Sequence, residues 1–308
     1  MGAVPAPWSP GGEEHWTHKD GDVRLFLWRK PPVDRPRAGV ILWIHGSSMA
    51  SQPTFDLQVP GRPDASIMDW FAQRGYDCWS LDNEGYGRSD KHRPVNADLA
   101  NGVADMVAAV HYIQRVTGVQ QLHLYGISSG ALKAAMYAAA HPANVARLAL
   151  EAMVWTGENS PTLIERRKKL PQWLGSLRRP MGREDIHRIF TRDREGLVDP
   201  VTVERFTDAV LSLDDSMPNG TYVDMCSRLP CVDPADIRVP TLVLLRGEYD
   251  GIAAYADVAA FFERIACSDK QLSILSGVGH GGLQGLNYQV VYHLLHGFFA
   301  QPPARKVG

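Results

Sequence analysis

Short apolar runs alternate along this chain with longer segments in which apolar residues recur at helical spacing. The run GVILWIHG at residues 39–46 is continuously apolar, which is typical of a strand in a parallel sheet covered on both faces. The same patterns predict further strands at 23–30, 76–82, 121–125, 145–155, 239–247 and 271–277, and helices at 66–75, 97–116, 129–142, 252–266 and 285–300. This alternation indicates right-handed βαβ crossovers and a mainly parallel sheet.

The pattern changes between residues 156 and 234. Short amphipathic pieces there carry dense charge and several prolines, without a long apolar strand. The sequence therefore predicts a core formed by 1–155 and 235–308, with an insertion at 156–234. Because open α/β sheets bind ligands outside the carboxyl ends of their strands, we expect the insertion above that edge. The first 15 residues, rich in Pro and Gly, are predicted to be a loosely held arm.

Length and composition limit the classes of protein to which this chain can belong. The chain has 308 residues, a formal net charge of -2 and 44% hydrophobic residues, which suits one large α/β domain with an insertion. The near-neutral net charge gives no indication of a basic surface for nucleic acid, and no apolar run reaches the roughly 18 residues of a membrane span. The N-terminus lacks the pattern of a signal peptide, so we expect a soluble cytoplasmic protein. Without metal-ligand spacing or a nucleotide-binding glycine motif, neither a metal nor an organic cofactor is expected.

The pentapeptide GISSG at 126–130 follows a predicted strand and precedes a predicted helix, the context that the G-x-S-x-G motif requires. Small flanking residues permit a tight turn that lifts the central hydroxyl out of the sheet. The helix beginning at Ser129 directs its N-terminal dipole and a backbone N–H to the same place. The pattern predicts Ser128 as a nucleophile and the Ser129 N–H as part of an oxyanion hole. The alternative is a turn of small residues that serves packing alone.

A serine nucleophile needs a base, and the base needs an acid that orients it. His280 lies in a glycine-rich loop just past the last predicted strand, from which its imidazole can reach across the sheet edge. Asp250 follows the penultimate strand and gives the chain order Ser, Asp, His. Glu248 and Glu151 are rivals for the acid. The sequence thus predicts a triad of Ser128, Asp250 and His280.

A second oxyanion donor is expected from a loop after an earlier strand. The dipeptide His45-Gly46 ends the apolar run at 39–46. The backbone N–H of Ser47 is the first candidate and that of Ser48 the second. The alternative is an ordinary turn at a strand end.

Taken together, these motifs resemble the α/β-hydrolase superfamily. In chain order they are His-Gly at 45–46, D-x-x-G-x-G-x-S at 82–89, G-x-S-x-G at 126–130, G-x-x-D at 247–250 and Gly-His at 279–280. The resemblance implies an eight-stranded, mostly parallel sheet with a helical cap inserted after the sixth strand, here residues 156–234. Members that dehalogenate alkanes or open epoxides use Asp as nucleophile, which Ser128 argues against. Members that hydrolyse carbon–carbon bonds often carry H-G-x-G-P-G, where this chain has HGSSMAS.

The expected reaction is hydrolysis of a carboxylic ester or lactone through an acyl-enzyme on Ser128. A carbon–carbon bond hydrolase or an acyltransferase using the same triad is the alternative within catalysis. A non-catalytic ligand-binding protein of the same fold is the alternative outside it, although such proteins commonly lose a triad member. The expected partner is a small acyl substrate, with the oligomeric state left open.

The substrate pocket is harder to predict. Large side chains that could line an apolar pocket are Met49, Phe55, Trp155, Met217 and Tyr222, although core packing is the interpretation that the sequence favours for any single one of them. Basic clusters at 166–169 and 178–179 would suit an acidic substrate. A solvated helix face is the interpretation that the sequence favours for them.

Overall fold

The computed structural model describes residue 8 and residues 10–302, without the side chains of 244–246. The strands are β1 (Glu13–Lys19), β2 (Val23–Lys30), β3 (Gly39–Ile44), β4 (Tyr76–Leu81), β5 (Leu122–Ile127), β6 (Val145–Glu151), β7 (Arg178–Pro180), β8 (Ser216–Pro218), β9 (Thr241–Gly247) and β10 (Lys270–Leu275). The helices are α1 (Ser51–Phe55), α2 (Ile67–Ala72), α3 (Leu99–Thr117), α4 (Ser129–Ala140), α5 (Pro161–Arg167), α6 (Leu170–Leu174), α7 (Arg183–Thr191), α8 (Pro200–Leu211), α9 (Gly220–Ser227), α10 (Tyr255–Arg264) and α11 (Tyr288–Phe299).

Eight of the strands form one sheet in the order β1-β2-β4-β3-β5-β6-β9-β10. The β1–β2 and β2–β4 pairs are antiparallel, and the other neighbours run parallel. This mostly parallel eight-stranded sheet confirms the predicted fold class. It also places the carboxyl ends of β3, β5, β6, β9 and β10 along one edge.

Helices cover both faces of the sheet, which explains the continuous apolar run in β3. Val40, Leu42 and Ile44 pack into a cluster with residues of α3, α4 and α10. Ile41 and Trp43, which alternate with them, pack into a second cluster with residues of α2 and α11. Each of these β3 side chains is thus buried, whichever way it points.

Several elements depart from their predicted boundaries. Strand β1 begins within the first 15 residues, where the sequence predicted only a loose arm, and it pairs with β2 through a turn in which Asp20 and Gly21 have positive φ. Strand β6 ends at Glu151 because Ala152 adopts a φ of 51°. Helix α10 spans Tyr255–Arg264, shorter than the predicted 252–266.

The segment between β6 and β9 contributes no strand to the large sheet. It holds α5 to α9 and one element that the sequence did not predict, a short antiparallel ribbon of β7 and β8. Met181, Phe206 and Met217 of this segment form a separate apolar cluster with Leu57 and Tyr86 of the core. Across the described residues, no helix combines the length and the apolar character that crossing a bilayer requires.

Candidate active site

Ser128 occupies a sharp turn between β5 and α4. Its φ of 57° lies in the left-handed region, which costs a non-glycine residue free energy and is held only by the surrounding structure. A Cβ at Gly126 would overlap the carbonyl oxygen of Gly130, and one at Gly130 would overlap that of Ile44. Both glycines of the motif are therefore required by close backbone contacts. The Ser128 N–H donates to the carbonyl of Glu151 at 2.9 Å, which ties the turn to β6.

Three side chains that are distant in sequence form one hydrogen-bonded row. His280 Nε2 lies 2.8 Å from Ser128 Oγ, and His280 Nδ1 lies 2.9 Å from Asp250 Oδ1. A carboxylate can only accept, so Nδ1 carries the imidazole proton and donates it to Asp250. Nε2 is then the acceptor for the Ser128 hydroxyl. This is the tautomer in which the imidazole can take a proton from Ser128.

Asp250 is held in place by backbone donors. Its Oδ1 accepts from the N–H of Ile252 at 2.7 Å and from that of Ala253 at 2.9 Å. The carboxylate is buried, so its orientation towards His280 is set by the loop after β9. Charge-assisted bonds of this kind are stronger than those between neutral groups.

The two rival acids contact the backbone of the loop after β10. Glu151 Oε1 accepts the Gly282 N–H at 2.7 Å, and the Tyr125 hydroxyl donates to its other oxygen. Burial raises the pKa of Glu151 to about 7. Glu248 is exposed and accepts from the Ser276 hydroxyl and the Gly277 N–H. Both carboxylates support the loop that carries the imidazole, while Nδ1 of that imidazole is paired with Asp250.

The His-Gly loop lies directly beside the turn at Ser128. A Cβ placed on Gly46 would be 3.5 Å from the Ser128 Cβ. His45 Nε2 accepts the Asn83 N–H at 3.0 Å, so its Nδ1 carries the proton and donates to the Gly46 carbonyl at 2.6 Å. In a trans peptide the next N–H, that of Ser47, points away from that carbonyl. His45 therefore fixes the direction of the Ser47 N–H, the group that the sequence predicted as an oxyanion donor, and the sequence did not predict this contribution of His45.

Complete burial, together with the nearby positive charge of Lys133, lowers the pKa of His45 to about 3. The imidazole is therefore neutral, as its two hydrogen bonds require. Among the described residues, no hydrogen bond uses the backbone N–H of Ser47 or of Ser129. Both groups are available to a bound ligand.

A narrow cavity of about 90 Å³ lies in front of Ser128. Of the five predicted pocket residues, Met49 lines this cavity, and Tyr222 lines an adjoining one. Phe55, Trp155 and Met217 are wrong as pocket candidates, because they are buried in three different apolar clusters and line neither cavity. Single large apolar residues carry no signal that separates core from pocket.

The inserted segment also supplies a polar residue that the sequence analysis missed. Asp193, whose side chain is only 5% exposed, accepts the backbone N–H of His280 at 2.6 Å and that of Gly251 at 3.4 Å. Burial raises the pKa of Asp193, but the pairing with Arg192 outweighs this and holds the pKa below its usual value. A Cβ at Gly279 or Gly251 would lie 3.0 or 3.1 Å from its oxygens. Asp193 therefore connects the loops after β9 and β10.

Several solved structures share this architecture. The esterase EaEST from Exiguobacterium antarcticum superposes with a TM-score of 0.68 at 15% identity, covering 93% of this chain and 99% of that one. A thermostable carboxyl esterase from Bacillus coagulans gives 0.67 at 16% identity, covering 94% and 100%. A monoacylglycerol lipase from Paleococcus ferrophilus gives 0.66 at 16% identity, covering 90% and 98%. At such identities the likeness establishes the fold alone.

No curated protein matches the chain significantly in sequence. A family model described as "Serine aminopeptidase, S33" matches residues 61–285, from the loop before α2 to the loop that follows His280. The matched range includes the turn at Ser128 and the whole inserted segment. Because it spans well over half of the chain, the protein belongs to the serine aminopeptidase S33 family and is a serine hydrolase of the α/β-hydrolase type.

Proposed function

We propose that the protein hydrolyses carboxylic esters or lactones through an acyl-enzyme on Ser128. The observation that carries this proposal is the row of hydrogen bonds from Ser128 through His280 to Asp250. The separation of 2.8 Å between Ser128 Oγ and His280 Nε2 is within the range for direct proton transfer. The backbone N–H groups of Ser47 and Ser129 are the donors for the oxyanion.

In the first half-reaction Ser128 Oγ attacks the substrate carbonyl while His280 Nε2 takes the hydroxyl proton. Asp250 holds the Nδ1–H and stabilises the imidazolium, and the two N–H groups stabilise the negative oxygen of the tetrahedral intermediate. The intermediate collapses when His280 returns the proton to the leaving alcohol. Water then attacks the acyl-enzyme while His280 Nε2 takes its proton. The bond to Ser128 breaks, the acid is released, and His280 returns the proton to Ser128 Oγ.

The charges around the pocket favour an ester over a peptide with a free N-terminus. An aminopeptidase must bind an ammonium group, for which carboxylates are the natural partners. Arg166 and Arg192 line the cavity in front of Ser128, and the carboxylate among its described lining residues is Asp193. That carboxylate is already bonded to Arg192 and to two backbone N–H groups. A positive pocket of this kind disfavours an ammonium group.

The test is covalent labelling with a fluorophosphonate, followed by mass spectrometry of the labelled peptide. We expect one adduct on Ser128 and none on the adjacent Ser129, with the heat-denatured protein as the control. Hydrolysis of p-nitrophenyl butyrate should be lost in Ser128→Ala. Labelling at Ser129, or a folded sample that neither reacts with the probe nor hydrolyses the ester, would contradict the proposal.

A further inference from the structure

A second cavity, of about 630 Å³, adjoins the much smaller cavity in front of Ser128. The two cavities share Ser48, Arg166, Ile189 and Arg192 in their walls. A substrate whose carbonyl lies at Ser128 can therefore extend between these residues into the larger space. We call this space the side cavity; its characteristic wall residues are Arg166, Arg179, Arg192, Trp173 and Tyr222.

Arg166 differs from the basic residues that follow it on the chain. Residues 167–169 are exposed, as a solvated face requires, whereas Arg166 is half-buried and lies over the Tyr222 ring at 4.3 Å. In the described part of the chain, no carboxylate lies within ion-pair distance of its guanidinium. Because an unpaired charge away from water is costly, this position favours an anionic ligand. The favoured sequence interpretation of a solvated face thus fails at Arg166.

Arg179 and Arg192 add positive charge to the same wall. Arg179 donates to neutral acceptors, the carbonyls of Ser47 at 2.9 Å and Pro218 at 2.6 Å, so its charge is not compensated by them. Arg192 pairs with Asp193 through Nε. Its Nη2 is buried and has no hydrogen-bond partner among the described residues.

The two acidic side chains on the wall of the side cavity already have partners. Glu165 pairs with Lys168 at 2.6 Å. Asp185 accepts the Gly182 N–H and lies 3.6 Å from Arg188. Neither carboxylate compensates the guanidinium groups of Arg166 and Arg179, so the wall keeps an excess of positive charge.

The excess of positive charge also changes the pKa of Tyr222. Burial raises the pKa of its phenol, but the charges of Arg166 and Arg179 and a hydrogen bond with Ser48 outweigh it and lower the pKa to about 7. The same surroundings would stabilise a ligand carboxylate. This electrostatic effect adds to the contacts above and does not replace them.

We propose that the side cavity binds a carboxylate of the substrate, so that Ser128 acts on acyl compounds that carry a second, ionised carboxyl group. The simplest such substrate is a half-ester of a dicarboxylic acid. A guanidinium suits this group because its planar fork donates two parallel hydrogen bonds to a carboxylate. The inference of a substrate class rests on the proposed hydrolysis at Ser128, whereas the anion site can be tested without it.

The kinetic test compares two activated esters of the same shape. One is the p-nitrophenyl half-ester of adipic acid, and the other is its isostere with an isopropyl group in place of the carboxylate. We expect a higher kcat/KM for the carboxylate ester in the wild type. Arg166→Gln should lower that preference about 10- to 100-fold, the range for a charge-assisted hydrogen bond. Arg166→Lys keeps the charge but not the fork and should lower it less.

Arg167→Gln is the matched control, since Arg167 is the exposed basic neighbour on the same helix. It should leave the preference unchanged. A wild type without preference for the carboxylate ester, or an equal loss in both glutamine variants, would overturn the proposal. Thermal unfolding of each variant separates a loss of binding from a loss of fold.

Direct binding distinguishes this inference from the hydrolase proposal. Titration calorimetry with adipate should show binding to the wild type and to Arg167→Gln, and binding about 10- to 100-fold weaker to Arg166→Gln. If adipate binds in this way but no ester is hydrolysed, the anion site stands and the hydrolase proposal fails. If esters are hydrolysed but adipate does not bind, the reverse holds. Binding of inorganic phosphate but not adipate would show a phosphate site and refute the carboxylate assignment.

Discussion

At the scale of single residues, a few hydrogen bonds decide which chemistry each side chain can perform. His45 and His280 are both imidazoles near Ser128, yet their partners give them different tasks. His45 is buried between a backbone donor and a backbone acceptor, so both of its nitrogens are occupied. His280 donates to a carboxylate and leaves Nε2 facing a hydroxyl. Only the second arrangement can accept a proton during a reaction.

Asp250→Asn tests the acid at this scale. An amide cannot hold the Nδ1–H as the carboxylate does, and its N–H₂ favours the wrong tautomer of His280. We expect kcat for p-nitrophenyl butyrate to fall about 10⁴-fold with the fold intact, by analogy with the Ser-His-Asp proteases. Glu248→Gln, which changes an exposed carboxylate, is the control and should retain activity. If Asp250→Asn kept its activity while Glu248→Gln lost it, the acid would be wrongly assigned.

At the scale of elements, the site is built from strand ends and completed by the inserted segment. The loops after β3, β5, β9 and β10 meet at one sheet edge because their strands run parallel. Asp193, in the loop between α7 and α8, then bonds to two of those loops. The inserted segment therefore acts on the position of the imidazole as well as on the shape of the pocket.

Asp193→Asn tests this positioning. The asparagine would place an N–H₂ against one of the donors that the carboxylate now accepts, so the backbone of His280 should lose its alignment. We expect kcat to fall about 10-fold or more, the value of a charge-assisted hydrogen bond, with little change in KM. Asp208→Asn, which changes an exposed carboxylate of α8 that pairs with Arg183 and lines neither cavity, is the comparison. A rise in KM at constant kcat would mean that Asp193 contacts the substrate without positioning His280.

At the scale of the whole molecule, the charges nearly balance but are unevenly distributed. Acidic residues number 34 and basic residues 32, while the wall of the side cavity concentrates guanidinium groups. Elsewhere carboxylates lie deep in the fold, among them Asp56 and Glu151, and burial raises the pKa of each to about 7. The stability of the folded chain should therefore depend on pH in the neutral range.

Glu151→Gln isolates one such contribution. The pKa of this carboxyl is higher in the folded protein, about 7, than its ordinary value of 4.5, so the fold binds a proton that the unfolded chain releases. Its stabilising contribution is full below pH 4.5 and is lost as pH rises through about 7. Relative to Glu151→Gln, the wild type should lose on the order of 3 kcal/mol of unfolding free energy across that range.

Urea unfolding at a series of pH values measures this difference. Glutamine can still accept the Gly282 N–H, so the substitution removes the titration and keeps the acceptor. Glu248→Gln is the control and should not reproduce the effect, because hydrogen bonds from the Gly277 N–H and the Ser276 hydroxyl lower the pKa of that exposed carboxyl. A difference between Glu151→Gln and wild type that stays constant with pH would refute the assignment.

The sequence alone determined the fold class and the three residues that form the hydrogen-bonded row. It could do so because both depend on local signals: the apolar run of β3, the glycines on either side of Ser128, and polar residues placed just after strands. The catalytic roles of Ser128, Asp250 and His280 remain predictions for the experiments above. The sequence did not predict β1, because the residues of this strand show no strong strand pattern by themselves. The strand is stabilised by its pairing with β2.

Only the tertiary structure determines which residues surround the hydrogen-bonded row of Ser128, His280 and Asp250. Asp193 and Arg166 belong to a charged segment in which many side chains look alike in sequence, and only packing determines which of them face the cavities. Phe55, Trp155 and Met217 were candidates for the pocket and are core residues, the interpretation favoured for any single one of them, since apolarity does not specify which buried surface a side chain joins. Periodicity and strand-end motifs are local, whereas the direction of a side chain at a cavity depends on contacts between segments far apart in the chain.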